Sequence, residues 1–478
     1  MKAIIPDNFI TSAHLRKYPP AHYGLTTFNV DHALYLLTQL TLAPAQDQQL
    51  LDNIDLEHNF IPLHAKLLQA KVHNYKSYLS YFMKTYVIES DNRYVREIDR
   101  PGEGKSIGYR FTSDYYFADL QTVEYGQAWL NILKKKQRQK YNELKKEYNH
   151  LVKWLWPTCD IQIDFKSAQQ WLTLRKKAQM SYPELRSREL NRKKHIVEIK
   201  NPITQFKFAK ANILSLYIGD THCSVDKTTF RMHSVLTNMS SIMRNFLTYK
   251  GQSLVSIDIK NCQPYLITAL LNQDIYSTQR RGINLSNLNP ELYARFKHNL
   301  PPVNTLKELM MNEDVYLYKS LVSNVDNNPL DLYEYMLKEC EKNSIRYDNR
   351  NAIKVGMYEV LFTANRYGTP IKKLFKKLFP TIDQLCKAIK ESNKANLACL
   401  LQSIESHIVL KVITKRLARE EPKAPIFTIH DSVVTTQSYA NKLKTIMIEE
   451  LTILTGLPPK LKKEIWTPEA VDWNIYRV

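Results

Sequence analysis

The chain has 478 residues, with 67 Lys and Arg against 47 Asp and Glu, a formal charge of +20. That excess excludes an acidic tail protein and implies a polyanionic partner, either nucleic acid or an anionic membrane surface. Only 11 glycines stand against 29 tyrosines, and neither a P-loop nor a GxGxxG occurs, so phosphate chemistry must rest on side chains and metals. The longest apolar runs, such as residues 265–271, are too short to span a bilayer. The first twenty residues lack the continuous apolar core of a signal peptide. The 6 cysteines form no CxxC pair, which argues against a zinc finger or disulfide framework and fits a reducing, cytoplasmic setting.

In chain order, residues 1–122 read as small helices followed by a hairpin. His64–Gln69 and Asn74–Lys84 carry apolar residues at helical spacing. Strand-like stretches follow at 85–89, 94–98 and 107–111, around a Pro101-Gly-Glu-Gly104 turn. Helix, turn, helix and two-stranded wing resemble a winged-helix module, with a small α/β packing cap as the plainer alternative. Lys76, Lys84, Arg93 and Arg96 would suit phosphate contacts there.

Residues 123–204 are helical and basic. Leu133–Lys146 has almost no helix breakers, and Pro157 should stop that helix soon after Trp154-Leu-Trp156. A second helix holds Ala168–Lys177. The run of charge is either a solvated face or a grip on nucleic acid. Beyond it, Ile213–Ile218 and Leu254–Ile259 read as buried strands, and 290–345 as helices and loops broken at Pro301-Pro302. Helices are expected over 348–366 and 396–411, then a hairpin over 425–436 with His430-Asp431 at its bend.

Three segments carry the chemistry. Asp258 ends an apolar strand; taken alone it is a cap or turn residue. His430-Asp431 at a hairpin bend is, alone, turn chemistry. Two aspartates on one sheet, however, make a site for hard divalent cations, which prefer carboxylate and phosphate oxygens. The third segment is a helix with Arg350, Lys354, Tyr358 and Phe362 at steps of four, so all four share one broad face. Two cations and two aromatics on that stripe suit a triphosphate with a sugar or base beside it. The alternative is an amphipathic helix with core aromatics and snorkelling cations.

In this order the three segments resemble motifs A, B and C of the family A nucleic-acid polymerases, which include polymerase I-like DNA polymerases and single-subunit RNA polymerases. Arg231–Leu247, with Asn238 and Arg244, resembles the segment that precedes motif A. Leu401–Val409, with Gln402, resembles a helix near the primer–template. The resemblance implies an α+β right-hand fold of palm, fingers and thumb. Its divisions here are a winged-helix-like or cap domain at 1–122, a thumb-like region at 123–204, palm at 205–275, fingers at 276–389 and palm again at 390–478. It implies that Asp258, Asp431 and the Ile259 carbonyl hold two Mg²⁺ ions, with Mn²⁺ as substitute. Arg350 and Lys354 would hold the triphosphate, Lys354 also protonating pyrophosphate. Tyr358 and Phe362 would pack on the nucleotide, with Arg244 near its phosphates. Arg231, Asn238, Gln402 and His430 would meet the primer–template.

The departures bear on substrate. The family's gate against a 2′-hydroxyl is an acid five residues after the motif A aspartate; here it is Gln263, bulky but neutral, which leans towards deoxynucleotides. Motif C reads His-Asp-Ser, as in the RNA polymerases. The spacing between Asp258 and Arg350 implies an insertion near 275–345. The expected activity is a template-directed DNA polymerase acting on DNA primer–template and dNTPs, with no proofreading exonuclease and no membrane partner. Alternatives are a single-subunit RNA polymerase or primase on the same fold, and a non-catalytic DNA-binding replication factor. The family's habits would suit a phage, plasmid or mobile element.

Overall fold

A computed structural model of the chain describes residues 1–46, 60–96, 104–186, 188–191, 196–276, 283–300, 308–309, 311–326 and 328–474. In the N-terminal region, β1 (Ala3–Pro6) pairs with β5 (Leu120–Val123). Between them lie α1 (Val30–Gln46), β2 (Ile61–Pro62), α2 (Tyr75–Lys84), β3 (Ile88–Ser90) and β4 (Gly108–Phe111). The three short strands pair in the order β2-β4-β3. Residues 97–103, where part of one expected strand and most of its turn fall, lie outside the described residues.

The helix α3 (Gln127–Val152) belongs to two cores at once. Trp129 and Leu133 pack with Leu34, Tyr78 and Phe82 of the N-terminal region. Tyr141, Tyr148, Leu151 and Val152 pack in the larger core with the central sheet. Its lysine run faces water, with Lys134, Lys135, Arg138 and Lys140 exposed.

Next come β6 (Ile161–Ile163), α4 (Phe165–Ser181) and α5 (Pro202–Tyr217). The stretch Ile213–Ile218, expected as a strand, is the end of α5. Its apolar residues are continuous because α5 is enclosed on several sides, by α1, α4 and β6. Burial all round erases the helical period that would distinguish it from a buried strand. The start was written locally: Asn201 caps the helix through the N–H groups of Ile203 and Thr204, with Pro202 in the first turn.

The central sheet has six strands. Its members beyond β6 are β7 (Leu247–Tyr249), β8 (Gln252–Ile259), β9 (Phe427–Ile429), β10 (Ser432–Thr436) and β11 (Leu461–Trp466). β8 lies between β10 and β11, antiparallel to both. Alternation along β8 puts Val255, Ile257 and Ile259 on one face and Ser256 and Asp258 on the other. Behind the sheet, α6 (Cys262–Leu271) and α10 (Ala440–Thr455) pack together, and α10 lies against β8.

The expected insertion is folded into the main core. Tyr318 is fully buried and donates to the Pro264 carbonyl at 2.9 Å. α7 (Leu332–Lys342) packs on α8 (Arg350–Phe362). Gly356 makes room in α8 for Tyr347 and Ile371: a Cβ there would lie 2.7 Å from the Tyr347 hydroxyl and 2.9 Å from Ile371 Cδ1, so one of them would have to shift. The helix α9 (Asn396–His407) continues through a wider turn at Ile408–Ile413 to Glu420. The run Asn396–Glu420 is long and apolar enough to cross a membrane, but 67% of its most apolar window is buried against protein.

Candidate active site

Asp258 stands one residue from the end of β8, directly opposite Ser432 on β10. The Ser432 hydroxyl donates to Asp258 Oδ1 at 2.6 Å. From the other side, β11 brings Lys462 opposite Asp258 and Glu464 opposite Ser256. These groups and Arg244 line a cavity of about 550 Å³. Burial pushes the Asp258 carboxyl above its usual range and Glu464 adds to that, while Ser432, Lys354 and Lys462 oppose it.

Asp431 occupies the two-residue turn between β9 and β10. The turn is feasible because His430 takes the left-handed region at φ 53°, which His tolerates better than most side chains. Burial drives the Asp431 carboxyl well up, and the charges of Glu405 and Asp258 push it further. His430 Nδ1 is buried without a hydrogen-bond partner. Its ring is 6.1 Å from that of His233. Burial lowers His430 to about 4, with Arg231, His233 and Arg244 adding to the effect.

Glu405 is a third carboxylate, absent from the residues read from sequence. It sits on α9 at 1% exposure. Arg231 meets it with two prongs, Nε to Oε1 at 2.9 Å and an Nη to Oε2 at 2.8 Å. Gln263 Nε2 donates to Oε2 at 2.6 Å. Arg231, expected at the primer–template, thus turns inward to a carboxylate. Nothing local singles it out, since Glu405 stands among Gln402, Ser403, Ser406 and His407 and only the fold buries it.

The α8 stripe begins beside this group. Arg350 pairs with Asp331, the residue that caps α7, with Nε to Oδ2 at 3.0 Å. It also reaches Asn261 Oδ1 at 3.3 Å and lies over the Tyr333 ring at 5.1 Å. Lys354 is exposed and acts on Asp258. The Tyr358 and Phe362 rings stack at 5.8 Å. Asn261, in the left-handed region at φ 53°, opens α6 and leaves its Nδ2 buried and unpartnered.

The remaining residues are more dispersed. Asn238 Nδ2 lies 3.0 Å from His222 Nε2. Arg244 Nε donates to the Leu236 carbonyl at 3.2 Å. Gln402 is half-buried one turn before Glu405 on α9. Ile259 ends β8 with its side chain in the core and its main chain opposite Leu461.

Among the described residues, no group of three or more His, Cys, Asp and Glu side chains is arranged to hold a metal. Mg²⁺ needs no such group: it uses one or two carboxylates, with the remaining positions filled by water and substrate phosphate. Burial raises both carboxyls, Glu405 and Asp258 raise Asp431 further and Glu464 raises Asp258, so the two are a donor set short of positive charge that fits such an ion.

No family model and no curated protein matches the sequence. Among solved structures, the chain is similar to the POL domain of Pol1 from M. smegmatis in complex with DNA primer-template and dNTP. The alignment covers 68% of this chain and 69% of that one, at 10% identity and a TM-score of 0.37.

Proposed function

We propose that the chain is a template-directed DNA polymerase that adds deoxynucleotides to a primer 3′ end. The observation that carries the reading is the convergence of Asp258, at the end of the central strand, with Asp431, in the β9–β10 turn. Beside them runs the α8 face of Arg350, Lys354, Tyr358 and Phe362. In this reading 205–275 and 390–478 form the palm, 276–389 the fingers, 123–204 the thumb-like region and 1–122 a cap.

Asp258, Asp431 and the Ile259 carbonyl would hold two Mg²⁺ ions. Bound there, these would lower the pKa of the attacking hydroxyl and neutralise charge on the phosphates. The primer 3′-oxygen bonds to the α-phosphorus, the bond to the bridging oxygen breaks, and pyrophosphate leaves. Lys354 would donate a proton to it, and Arg350 would orient the triphosphate once shared with or released from Asp331. Tyr358 and Phe362 would offer stacked rings to base and sugar, with Gln263 beside the sugar. His430, neutral at physiological pH, would lie at the primer terminus, with Asn238, Arg244 and Gln402 along the strands. Arg231 would act through Glu405.

One observation favours a second reading, a ribonucleotide-using polymerase or primase. The Gln263 amino group is committed to Glu405, which leaves Oε1 buried and unpartnered, an acceptor that would suit a sugar hydroxyl brought against it. The test is extension of a labelled primer–template in Mg²⁺ with dNTPs or NTPs, beside Asp258→Asn and Asp431→Asn. Extension lost in both variants is expected. Full extension by Asp431→Asn would overturn the assignment.

A further inference from the structure

The strand β11 brings two charges to Asp258 that the proposed function leaves without a role. Lys462 stands directly opposite Asp258 across the β8–β11 ladder, and Glu464 stands opposite Ser256. Opposite residues of an antiparallel pair have Cβ atoms about 5 Å apart. Residues two apart on one strand share a face about 7 Å apart. A lysine arm at 462 therefore has a carboxylate within reach in two directions, across the ladder and along its own strand. It is turned along the strand: Nζ lies 2.5 Å from Glu464 Oε1. Asp258, Lys462 and Glu464 all line the same cavity, together with Arg244.

Beyond burial and the Ser432 hydroxyl, the charges acting on Asp258 are Glu464, Lys354 and Lys462. Lys354 acts from α8 and does not line this cavity, so Lys462 is the cation on the cavity side of the strand pair. Lys462 keeps its charge. The hydrogen bond to Glu464 and that carboxylate's charge hold it above the usual lysine value, and Asp258 adds to this. An ammonium beside a carboxylate competes with a divalent ion for it, because both draw on the same negative charge. An ammonium drawn off to a second carboxylate competes less.

We propose that Lys462 and Glu464 together set the affinity of Asp258 for a divalent cation. Lys462 is the competing charge, and Glu464 is the residue that draws it aside. The inference rests on the proposed function for the ion at Asp258. Both are positioning residues, acting on the carboxylate and not on substrate. Glu464 taking the ion itself is the rival account, and the test separates the two.

The measurement is the thermal midpoint of the full chain titrated with MgCl₂, without nucleotide or nucleic acid. The quantity read is the Mg²⁺ concentration that gives half of the maximal shift. Lys462→Met should lower it and Glu464→Gln should raise it, each by about fivefold, the upper end for a solvent-exposed charge pair. The two side chains are 56% and 47% exposed, so neither change should unfold the chain, and circular dichroism checks this. In the Lys462→Met background, Glu464→Gln should have no further effect. A loss of the same size persisting there would assign the ion to Glu464 directly and overturn the proposal. Lys462→Arg keeps the charge and should match the parent; if it follows Lys462→Met instead, the effect is not one of charge and the proposal fails. A folded Lys462→Met variant that needs as much Mg²⁺ as the parent would overturn it, as would a parent midpoint indifferent to Mg²⁺. Shifted Mg²⁺ requirements in the variants with no primer extension by the parent would sink the polymerase reading and leave the pair standing. Extension lost in Asp258→Asn, beside unmoved Mg²⁺ requirements in both pair variants, would do the reverse.

Discussion

Gln263 and Glu405 lie 142 positions apart in sequence and meet in a 2.6 Å hydrogen bond. An ionised carboxylate only accepts, so the bond fixes which way the amide faces: Nε2 to Glu405 and Oε1 away from it. If the sugar of an incoming nucleotide lies beside Gln263, that oxygen rewards a hydroxyl donor. Gln263→Leu keeps comparable bulk and removes the acceptor. Ribonucleotide kcat/KM should fall relative to deoxynucleotide by up to about tenfold, the worth of one hydrogen bond. Equal changes for both sugars in single-nucleotide incorporation would remove Gln263 from sugar selection.

The same carboxylate secures Arg231, whose side chain is 21% exposed. Glu405→Leu strands that guanidinium and should cost about 3 kcal/mol in urea unfolding. Arg231→Leu/Glu405→Leu should recover much of the loss, since removing both partners leaves no unpaired charge. An additive double variant would show that the pair is not coupled.

Asp258 and Asp431 are both pushed above the usual carboxylate range, chiefly by burial. Their unfolded counterparts ionise near 3.9, so above that pH the native state binds more protons than the unfolded one. The stability tied to them is complete below the unfolded value and is lost as pH rises through the folded one. In EDTA at neutral pH, Asp431→Asn should therefore be more stable than the parent by about 1 kcal/mol or more, while inactive. Mg²⁺ should raise the parent's thermal midpoint and leave that of Asp258→Asn/Asp431→Asn unmoved. A parent midpoint indifferent to Mg²⁺ would tell against an ion at these carboxyls.

Much of this site was legible because it is written locally. The run Leu254–Ile259 is bounded by polar residues, the bend at His430-Asp431 separates two β-branched runs, and the steps of four from Arg350 survive in the folded helix. What escaped depends on tertiary contact. Glu405 reads as an ordinary helical acid until Arg231 and Gln263 arrive from elsewhere in the chain. Asp331 reads as a helix cap, which it is, and only packing of α7 on α8 gives it Arg350 as well. Ile213–Ile218 failed for the opposite reason: enclosure of Ile213–Leu216 on several sides made a helix look like a strand.

Burial lowers His430 from 6.5 to about 4, and His150, His222 and His407 likewise reach about 4. Between those values the unfolded chain binds more protons, so the histidines' share of stability rises with pH and is lost on acidification. The difference between His430→Gln and the parent isolates one such group from the opposing aspartates. It should change with pH by up to about 1.4 kcal/mol per unit between 4 and 6.5 and stay flat above 7. A flat difference across the whole range would show an ordinary, solvated histidine.

Arg350 shares its charge with Asp331, whose carboxyl burial works to raise but which Arg350 and the N–H groups of Glu334 and Tyr333 bring below its usual range. Asn is as good a helix cap as Asp. Asp331→Asn should therefore preserve α7 and release the guanidinium, lowering the KM for nucleotide several-fold at little change in kcat. An increased KM would mean that Asp331 aims Arg350 rather than competing for it.

The helix Gln127–Val152 has one end in each of two cores, and His150 near its C-terminal end bonds the Leu410 carbonyl at 3.0 Å and Thr414 Oγ1 at 3.1 Å, just beyond the helix that carries Glu405. Tyr148 breaks its regular geometry at φ −118°. Some 26 residues give a rod of about 39 Å. Pivoted near Tyr148, a tilt of about 5° sweeps the distant end through about 3 Å. A shift of the first 120 residues would therefore be passed along this helix to the α9 continuation, a few residues beyond Glu405.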